Sequence, residues 1–537
     1  MRWTKALAGI AVVMMGGASA ARASVEISSA PTSNMTCSAG VCAPTSKKAV
    51  LNATDLANML ATSDVKVTTG GGAVTITVTA SLSWTSASRL TLDAAQNVSF
   101  TAPVSVAGPG ALSIVYNDGG TNGDLLFFPG AKVDFWDLGS SLTINGNAYT
   151  LVGSIATLAA DAAQKPSGYY ALAGDYDASS DTAWPIPNFT GTFEGLGHQI
   201  SNMTLSDAAP GRQKHLGPNF ALFFFANGAD IRDLNLAHVV FSMQNSPRHA
   251  VYAALVGTQY SGHIENVSAD VEIAISGKTC IAGGLIGAGN ADIENSSTSG
   301  SISGCQEAGG LVSAGGGTIV NSASSVSVTG GGRSIVGGLV GSSGYSIETS
   351  HATGAVSGFQ AGGVVGENCG VIDQSYATGD VSGSGHAAAA GGLVGYNLLV
   401  VSNSYATGTV RAVGGLSAGG GLIGVAADGG NCAGDKSAVS SSYSTGGVSG
   451  DRTTLGGVIG GDNTAHDQNS DAYWDLDTSG ISDPSGGAGN IANDPGLAGL
   501  TDAQLKSGLP AGFDPSLWGS KRSVNGGYPY LLADPPQ

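Results

Sequence analysis

The chain of 537 residues has few charges, few aromatic residues and no long apolar run. Charged residues make up 11% of it, against about 25% in an ordinary soluble domain. Basic residues are the scarcer kind, since 21 Lys+Arg stand against 39 Asp+Glu and give a formal net charge of −18. This sign and the lack of a basic run exclude nucleic acid as an expected partner. After residue 23, no segment reaches the roughly 18 consecutive apolar residues of a transmembrane helix, so we do not expect an integral membrane protein.

Glycine is what the chain has in excess, with 85 residues. Apolar residues make up 42%, which is enough for a core and unlike a disordered acidic chain. No stretch keeps glycine at every third position, as collagen requires. The composition therefore favours one long architecture with many tight turns.

Residues 1–23 are predicted to be a secretory signal peptide. Arg2 and Lys5 precede a short apolar stretch, and the Ala21-Arg22-Ala23 tripeptide permits cleavage after Ala23. Loss of these three basic residues takes the formal net charge from −18 to −21. We expect the mature protein to be secreted or at the cell surface, with periplasmic retention as the alternative.

A glycine-rich pentapeptide recurs through the second half of the chain. A weaker copy, AALVG at 253–257, precedes the series, and the steps from copy to copy are 30, 26, 28, 25, 29, 29 and 36 residues. Ten residues after most starts comes a second element such as Ile293-Glu-Asn-Ser, which often continues as Tyr-Ala-Thr-Gly-x-Val. The full copies are GGLIG at 283–287, GGLVS at 309–313, GGLVG at 337–341, GGVVG at 362–366, GGLVG at 391–395, GGLIG at 420–424 and GGVIG at 456–460.

This period predicts an all-β fold, a right-handed parallel β-helix (β-solenoid) of stacked 25–30-residue repeats. No copy holds a glycine-free apolar run of helical period, and each contains short strand-like pieces between turn residues. The Gly-Gly pair is expected at a corner, through positive φ or close backbone approach, and the next apolar residue is expected to point inward. These repeat-core residues are Gly284, Leu285, Gly338, Leu339, Gly363, Val364, Gly392, Leu393, Gly421, Leu422, Gly457 and Val458.

Two columns of equivalent residues are expected to stack. Asn295, Asn321, Gln374 and Asn403 would form an amide ladder. Tyr376, Tyr405 and Tyr443 would form either a structural aromatic ladder or a sugar-binding stripe, and we favour the ladder.

The repeats, with the Asn-Ser-Tyr-Ala-Thr-Gly run at 403–408, resemble the GLUG motif of filamentous-haemagglutinin-like bacterial exoproteins. Residues 142–151, 170–179 and 189–203 resemble the leader of such repeats, and 473–474, 500–505 and 527–531 resemble their usual ending. The resemblance covers about residues 50–535 and implies a parallel β-helix at or beyond the cell surface, of adhesin-like type.

The domain organisation follows from these segments. We expect, in order, a signal peptide (1–23), an N-terminal segment with a helix at Asp55–Leu60 capped by Thr54 (24–62), haemagglutinin-like β-helix coils (63–150), a leader region with divergent coils (151–250), the GLUG-type repeats (251–462) and an atypical C-terminal cap (463–537). A second short helix is expected at Thr501–Lys506.

Six cysteines in an exported chain favour disulfides. Cys280 and Cys305 lie at near-equivalent repeat positions, 25 residues apart, so adjacent repeats would bring their Cα atoms to about 5 Å. Cys37 and Cys42 would close a small loop. The remaining cysteines are Cys369 and Cys432, which lie two repeats apart. They can form a disulfide only if the insert at 425–438 folds back.

No catalytic residue, metal ligand or cofactor is assigned from the sequence. Ser417 lies in a G-x-S-x-G match that glycine abundance explains. The chain has no His-Glu-x-x-His pattern. Two acidic groups fit a calcium site or a carboxylate pair, but turn formation is the favoured interpretation; they are Asp175, Asp177 and Asp181, and Asp471, Asp475 and Asp477.

We therefore expect a non-enzymatic, adhesin-like or structural protein. Its partner would be a component of a host or neighbouring cell surface, with glycans among the candidates. The alternative is a carbohydrate-active β-helix enzyme, a polysaccharide hydrolase or lyase. Such an enzyme would carry a carboxylate-rich groove that interrupts the stack, most readily between Tyr170 and Val251.

Overall fold

The computed structural model describes residues 23–70, 73–120, 122–181, 186–207, 219–243, 247–275, 279–429, 432, 436–464 and 468–536. The predicted signal peptide, apart from Ala23, lies outside these residues. The described chain is nearly all β, with large sheets rich in parallel pairs. Among the described residues no helix is long and apolar enough to cross a membrane. The chain divides into two compact units: unit 1 holds Met1–Ser154, Gly168–Tyr176 and Phe193–Gln199, and unit 2 holds Ile155–Ser167, Asp177–Thr192 and Ile200–Gln537.

The N-terminal part of unit 1 is built from short strands whose alternate side chains are buried, as their apolar alternation predicts. Leu90 pairs in parallel with Val65 on one side and with Leu112 on the other. Its strands are Ser24–Ser28, Met35–Ser38, Val41–Pro44, Lys48–Asn52, Val65–Thr68, Thr75–Val78, Leu82–Trp84, Arg89–Asp93, Val98–Phe100, Val104–Val106, Ala111–Val115, Leu125–Phe127, Val133–Phe135, Ser141–Ile144 and Asn147–Val152.

The helices differ in detail from the prediction. Helix α1 spans Ala53–Leu60, and its N-cap is Asn52, not Thr54, because the Asn52 side chain accepts the Thr54 and Asp55 N–H groups. Helix α2, Ile155–Gln164, was not predicted from the sequence. Helix α3 spans Asp502–Leu505 and begins at Thr501, which forms a capping box with Gln504.

Strands also fill the middle of the chain and the repeats. Between residues 169 and 242 they are Tyr169–Leu172, Tyr176–Asp177, Ile186–Phe189, Thr192–Glu194, Gln199–Ser201, Thr204–Ser206, Asn219–Phe220, Phe223–Ala226 and Ala229–Ser242. Between 250 and 384 they are Ala250–Ala253, Val256–Gln259, Gly262–Ala274, Cys280–Gly283, Ile286–Asn290, Asp292–Glu294, Ser297–Ser303, Glu307–Gly309, Val312–Val320, Ala323–Ser324, Ser327–Thr329, Ile335–Gly337, Val340–Glu348, His351–Ala352, Val356–Gly358, Gln360–Gly362, Val365–Asn368, Ile372–Asp373, Tyr376–Ala377 and Val381–Ser384.

The last repeats and the C-terminal segment complete unit 2. From residue 389 the strands are Ala389–Gly391, Val394–Asn397, Val400–Ser402, Tyr405–Ala406, Val410–Gly420, Ile423–Ala427, Ala438–Ser444, Val448–Gly456, Ile459–Asn463, Ser470–Asp475, Leu497–Leu500, Trp518–Gly519 and Tyr530–Leu531, and a short 3-10 helix spans Asn525–Gly527.

Successive repeats pair in parallel with the register that the pentapeptide predicts. The first glycine of each pair lies opposite the first glycine of the next, from Gly283 through Gly309, Gly337, Gly362, Gly391 and Gly420 to Gly456. The apolar residue after each glycine pair is buried, as Leu285, Leu339 and Val458 illustrate. These inward side chains form the core of the stack.

The Gly-Gly pair is required by close backbone approach, and neither glycine of the pair at 337–338 has a positive φ. A Cβ on Gly337 would lie 2.0 Å from the carbonyl oxygen of Val340 in the same repeat. A Cβ on Gly338 would lie 2.1 Å from the carbonyl oxygen of Gly363 in the next repeat. Of the two expected roles for the pair, the structure therefore selects close approach.

The predicted amide ladder does not form. Its column instead has left-handed backbone, with φ between 44° and 52°, and asparagine is favoured there because it tolerates this conformation. The side-chain bonds in the column are mixed: Thr349 donates to Asn321, whereas Asn403 donates to Asp373, and Asn295 Oδ1 is buried without a partner among the described residues. The column is Asn266, Asn295, Asn321, Thr349, Gln374, Asn403 and Ser441.

A buried serine ladder lies one residue further along. Each serine N–H donates to the Oγ of the next repeat's serine at 3.0–3.2 Å. Each Oγ donates in turn to a carbonyl two residues back in its own repeat at 2.6–2.9 Å. The ladder satisfies backbone groups that would otherwise be buried and unpaired at this corner. Its members are Ser296, Ser322, Ser350, Ser375, Ser404 and Ser442.

The six cysteines form the three expected disulfides. Cys280 and Cys305 bridge adjacent repeats with a Cα separation of 4.8 Å. The pair in the hairpin of unit 1 is Cys37–Cys42. The third bond, Cys369–Cys432, spans 63 residues. Cys432 packs against Leu398 in a small buried cluster, so the insert does return toward the earlier repeat.

The C-terminal segment has two parts. Ser470–Asp475 and Leu497–Leu500 continue the parallel stack, with Tyr473 opposite Tyr443 and Ala498. The remainder folds back along the side of the repeats, where Trp518 contacts the Tyr405 and Tyr443 rings and Asp534 contacts His351. This segment therefore covers a lateral face as well as extending the stack.

Candidate functional site

The first acidic group acts in local structure. In unit 1, Asp175 accepts hydrogen bonds from Lys132 at 2.8 Å and from the buried His198 at 3.0 Å. Burial alone would raise the pKa of Asp175, but the bonds from Lys132 and His198 outweigh that effect and lower it. In unit 2, Asp177 accepts from the Ser179 N–H and from Asn202. Asp177 therefore holds a turn, as expected. Asp175 instead bonds to side chains that are 43 and 23 residues away, and Asp181 Oδ2 is buried without a hydrogen-bond partner among the described residues.

The second acidic group also holds a turn. Asp475 is buried and accepts the N–H groups of Asp477 and Thr478, together with the hydroxyl of Tyr528. Asp477 accepts the N–H of Asp502 at the start of α3. These contacts fasten the C-terminal segment to the stack.

Ser417 has no catalytic setting. It lies within the strand Val410–Gly420 and is buried, and its Oγ donates to the carbonyl of Gly385 at 2.8 Å. A nucleophile elbow needs a strand-to-helix turn that exposes the serine. The G-x-S-x-G match therefore reflects the abundance of glycine in the chain.

The tyrosine column is a structural ladder, and the sugar-binding stripe is excluded. The Tyr376 and Tyr405 rings stack at a centroid distance of 4.7 Å, Tyr405 and Tyr443 at 5.2 Å, and His351 extends the stack at 4.7 Å from Tyr376. All three tyrosines are buried. The Tyr443 hydroxyl donates to Pro529 in the fold-back segment. Stacking and burial leave none of the three tyrosine rings open to a ligand.

A groove of about 390 Å³ opens on unit 2 where each repeat turns a corner. Tyr260 lies at this corner with 61% of its surface exposed. Ser261 donates to the Asn227 amide oxygen at 3.1 Å and thereby orients that amide. The groove combines an exposed ring with amide and hydroxyl groups, and its lining is Asn188, Phe189, Thr190, Phe225, Ala226, Asn227 and Tyr260.

A group of ionisable side chains begins three residues after this corner. Two outward columns carry it, because His263 lies opposite Asp230 and Asp292, while Glu265 lies opposite Arg232 and Glu294. We call this group the charged cluster; it comprises Asp230, Arg232, His263, Glu265, Asp292 and Glu294.

Contacts within the charged cluster centre on Glu265. Arg232 Nη2 lies 3.0 Å from Glu265 Oε2, and His263 Nε2 lies 3.5 Å from the same oxygen. Arg232 Nε also pairs with Asp233 at 3.2 Å. The hydrogen bond to Glu265 raises the pKa of His263, against the opposing effect of burial. Three possible ligand atoms lie within 4.8 Å of one another, one each from His263, Glu265 and Glu294.

A second pair of carboxylates lies later in the stack. Burial, with a smaller effect from the charge of Glu367, raises the pKa of Glu307 to about 7, although Ser342 donates a hydrogen bond to it. Burial likewise raises the pKa of Glu367. Ser342 and Glu367 are in-register neighbours in adjacent repeats. A carboxyl group that titrates near neutral pH can donate or accept a proton under physiological conditions.

Sequence reasoning missed both carboxylate groups, although one signal was present. The tripeptide Ile-Glu-Asn occurs at 264–266 and again at 293–295, at equivalent repeat positions. That equivalence predicts stacking of Glu265 on Glu294. No comparable pattern links Glu307 with Glu367.

Comparison with known proteins gives a limited set of likenesses. Residues 386–411 match the family model of the GLUG motif. No curated protein matches the chain significantly. Among solved structures, a candidate immunoglobulin A1 protease from Bacteroides ovatus is similar, with 16% identity and a TM-score of 0.30 over 72% of this chain and 93% of that one. This TM-score is too low for an argument about fold or activity.

Proposed function

We propose that this protein is an exported, adhesin-like scaffold, a right-handed parallel β-helix that binds glycans at the Tyr260 groove. The observation that carries the proposal is the exposed ring of Tyr260 beside Asn188 and Asn227. Ligand sites commonly combine aromatic surface with a few oriented polar groups, and a sugar presents both C–H faces and hydroxyls to such a surface. Disulfides and the GLUG match support an extracellular setting.

The groove belongs to a rigid frame. Its walls come from strands that pair in register, with Asn188 opposite Phe225 and Phe225 opposite Thr258. Sites held on paired strands keep their geometry better than sites on free loops. A ligand that binds here therefore meets a preformed surface and orders little of the protein.

A glycan array with the purified mature protein tests the proposal. We expect binding that Tyr260→Ala reduces at least tenfold. The matched control is Trp136→Ala, which removes another exposed ring, 72% exposed, in unit 1, and we expect it to leave binding unchanged. Binding that survives Tyr260→Ala, or no binding to any glycan, would contradict the assignment.

A second candidate function is polysaccharide hydrolysis at Glu307 and Glu367. The specific observation in its favour is that Ser342, which donates a hydrogen bond to Glu307, lies in register with Glu367. Burial raises the pKa of Glu307 to about 7, as a general acid that holds its proton at working pH requires. Glycosidases typically use two carboxyl groups, one as acid and one as base or nucleophile. Release of new reducing ends from a bound glycan, abolished by Glu307→Gln, would establish this activity. Binding without product would leave the scaffold function.

A further inference from the structure

Among the residues that the structure describes, the charged cluster holds four carboxylates and two basic side chains. Four carboxylates, those of Asp230, Glu265, Asp292 and Glu294, share two neighbouring columns with Arg232 and His263. Arg232 is also engaged by Asp233. Like charges directly opposite one another on paired strands are destabilising, so a bound cation would relieve the stacking of Glu265 on Glu294.

We propose that His263, Glu265 and Glu294 bind a divalent transition-metal cation, with Zn²⁺ as the ion that these ligands suit best. Zinc takes imidazole nitrogen and carboxylate oxygen at about 2.0–2.2 Å in a tetrahedral arrangement. The three ligand atoms already lie within 4.8 Å of one another. A tetrahedral ion with such bonds needs ligand separations of roughly 3.4 Å, which small side-chain rotations supply because Glu294 and His263 are only partly buried.

A second observation points to the same place. Asp230 lies opposite His263 in the preceding repeat, and its Oδ1 atom is buried without a hydrogen-bond partner among the described residues. A buried carboxylate oxygen without a partner is costly unless a cation or donor is near. The charge of Asp230 also acts on His263, in agreement with the register that pairs the two residues.

The neighbouring Arg232 fits a supporting role. Its guanidinium holds Oε2 of Glu265 at 3.0 Å and Asp233 at 3.2 Å. Hydrogen bonds from outside the ligand set commonly orient metal-binding carboxylates. Arg232 would thus hold the Glu265 carboxylate beside His263, whose Nε2 lies 3.5 Å from the same oxygen.

The ligand chemistry separates zinc from calcium. Calcium prefers six to eight oxygen ligands, whereas this site offers an imidazole nitrogen and two carboxylates. Three protein ligands leave one position of a tetrahedral zinc open to water or to a ligand. The inference does not depend on glycan binding, because the metal alone is the probe in its test.

Calorimetric titration of the untagged, metal-free mature protein with ZnCl₂ tests the site. We expect one Zn²⁺ per chain, and at least a tenfold weaker Kd for His263→Ala and for Glu294→Gln. Two matched controls are expected to leave Kd unchanged. Glu348→Gln alters an exposed carboxylate of the same column two repeats beyond Glu294, and His386→Ala removes an exposed histidine.

Two further measurements test the proposal even if one of the variants does not fold. Zinc should raise the thermal midpoint of the wild type and of both controls, but not that of a folded ligand variant. Co²⁺ bound in place of Zn²⁺ should give visible absorption bands typical of a four-coordinate site. Absent heat, unchanged affinity in both ligand variants, or calcium binding in place of zinc would each overturn the proposal.

Discussion

Early and late repeats of unit 2 share a backbone and differ in what their columns carry. In the early repeats, around residues 229–303, the outward columns hold the charged cluster and no two neighbours in the His263 column are alike. In the late repeats, around 351–444, a column two residues past the left-handed corner holds His351 and three stacked tyrosines. The late column is sealed by the fold-back segment.

The comparison shows that columns of identical residues and columns of varied ionisable residues lie in different parts of one stack. Identical neighbours such as Tyr405 and Tyr443 gain from stacking, and burying them strengthens the structure. Unlike neighbours such as Asp230, His263 and Asp292 gain nothing from repetition, so their positions suit ligand contact. Functional residues are therefore expected in columns whose residues differ from one repeat to the next.

Loss of a ladder ring should give the largest effect. Tyr405→Ala removes a fully buried ring from between Tyr376 and Tyr443, and we expect a loss of about 3–5 kcal/mol in the free energy of unfolding. Chemical denaturation measures it. Tyr260→Ala, in the early groove, should cost less than about 0.5 kcal/mol; equal losses would erase the contrast between the two regions.

The disulfide between two early repeats should contribute more to stability than the short hairpin disulfide of unit 1. Replacing Cys280 and Cys305 by serine opens a bond that closes 25 residues, and we expect a loss of about 2–4 kcal/mol, mainly through the unfolded state. Unfolding of the double variant against the wild type measures this. The bond between Cys37 and Cys42 closes only five residues, so its removal should cost less, and the reverse order would contradict the loop argument.

A pH-dependent contrast is expected at Glu307. Its pKa is about 7 in the folded chain and 4.5 in the unfolded one, so the folded state binds the extra proton between these values. Stability should therefore fall as pH rises from about 4.5 to 7, by about 3 kcal/mol in total. Glu307→Gln should reduce this slope to the part that Glu367 contributes, and it should stabilise the protein at pH 8.

The control for Glu307 is Glu348→Gln, which changes an exposed carboxylate and should keep the slope. Thermal or urea unfolding at several pH values measures both variants. A slope that is undiminished in Glu307→Gln would place the main titrating group elsewhere.

The serine ladder should give the smallest of these effects. Ser350→Ala removes the Oγ that accepts the Ser322 N–H and donates to the Glu348 carbonyl, and leaving these buried groups unpaired costs about 1–3 kcal/mol. Ser346→Ala, at an exposed position of the same repeat, should change stability by less than about 0.5 kcal/mol. Indistinguishable unfolding curves for the two variants would refute the ladder's role.

Features that depend on equal spacing were predictable from the sequence. The pentapeptide set the register of the glycine column, and that register placed Cys280 near Cys305. Features that depend on backbone conformation were not. The Asn321 column looked like an amide ladder, because sequence shows that an amide recurs but not that its backbone is left-handed. The adjacent serine carries the ladder instead.

The candidate site was harder to foresee, for a physical reason. Glu265 and Glu294 become neighbours only through the register, and Arg232 joins them from a repeat that lacks the pentapeptide. The Tyr260 groove depends on corner residues from three divergent strands. The recurring Ile-Glu-Asn tripeptide signals the contact of Glu265 with Glu294. The other side chains of the charged cluster and of the groove leave no such periodic signal, so the structure was needed to place them.

The serine ladder has a consequence for how the chain can change length. Every link joins one repeat to the next by the same hydrogen bond from a serine N–H to the next serine Oγ, as between Ser322 and Ser350 and between Ser350 and Ser375. Inserting or deleting one whole repeat at such a link recreates the identical junction, whereas a partial insertion breaks it. The gene can therefore lengthen or shorten this region in whole units while each new boundary is hydrogen-bonded like the old one.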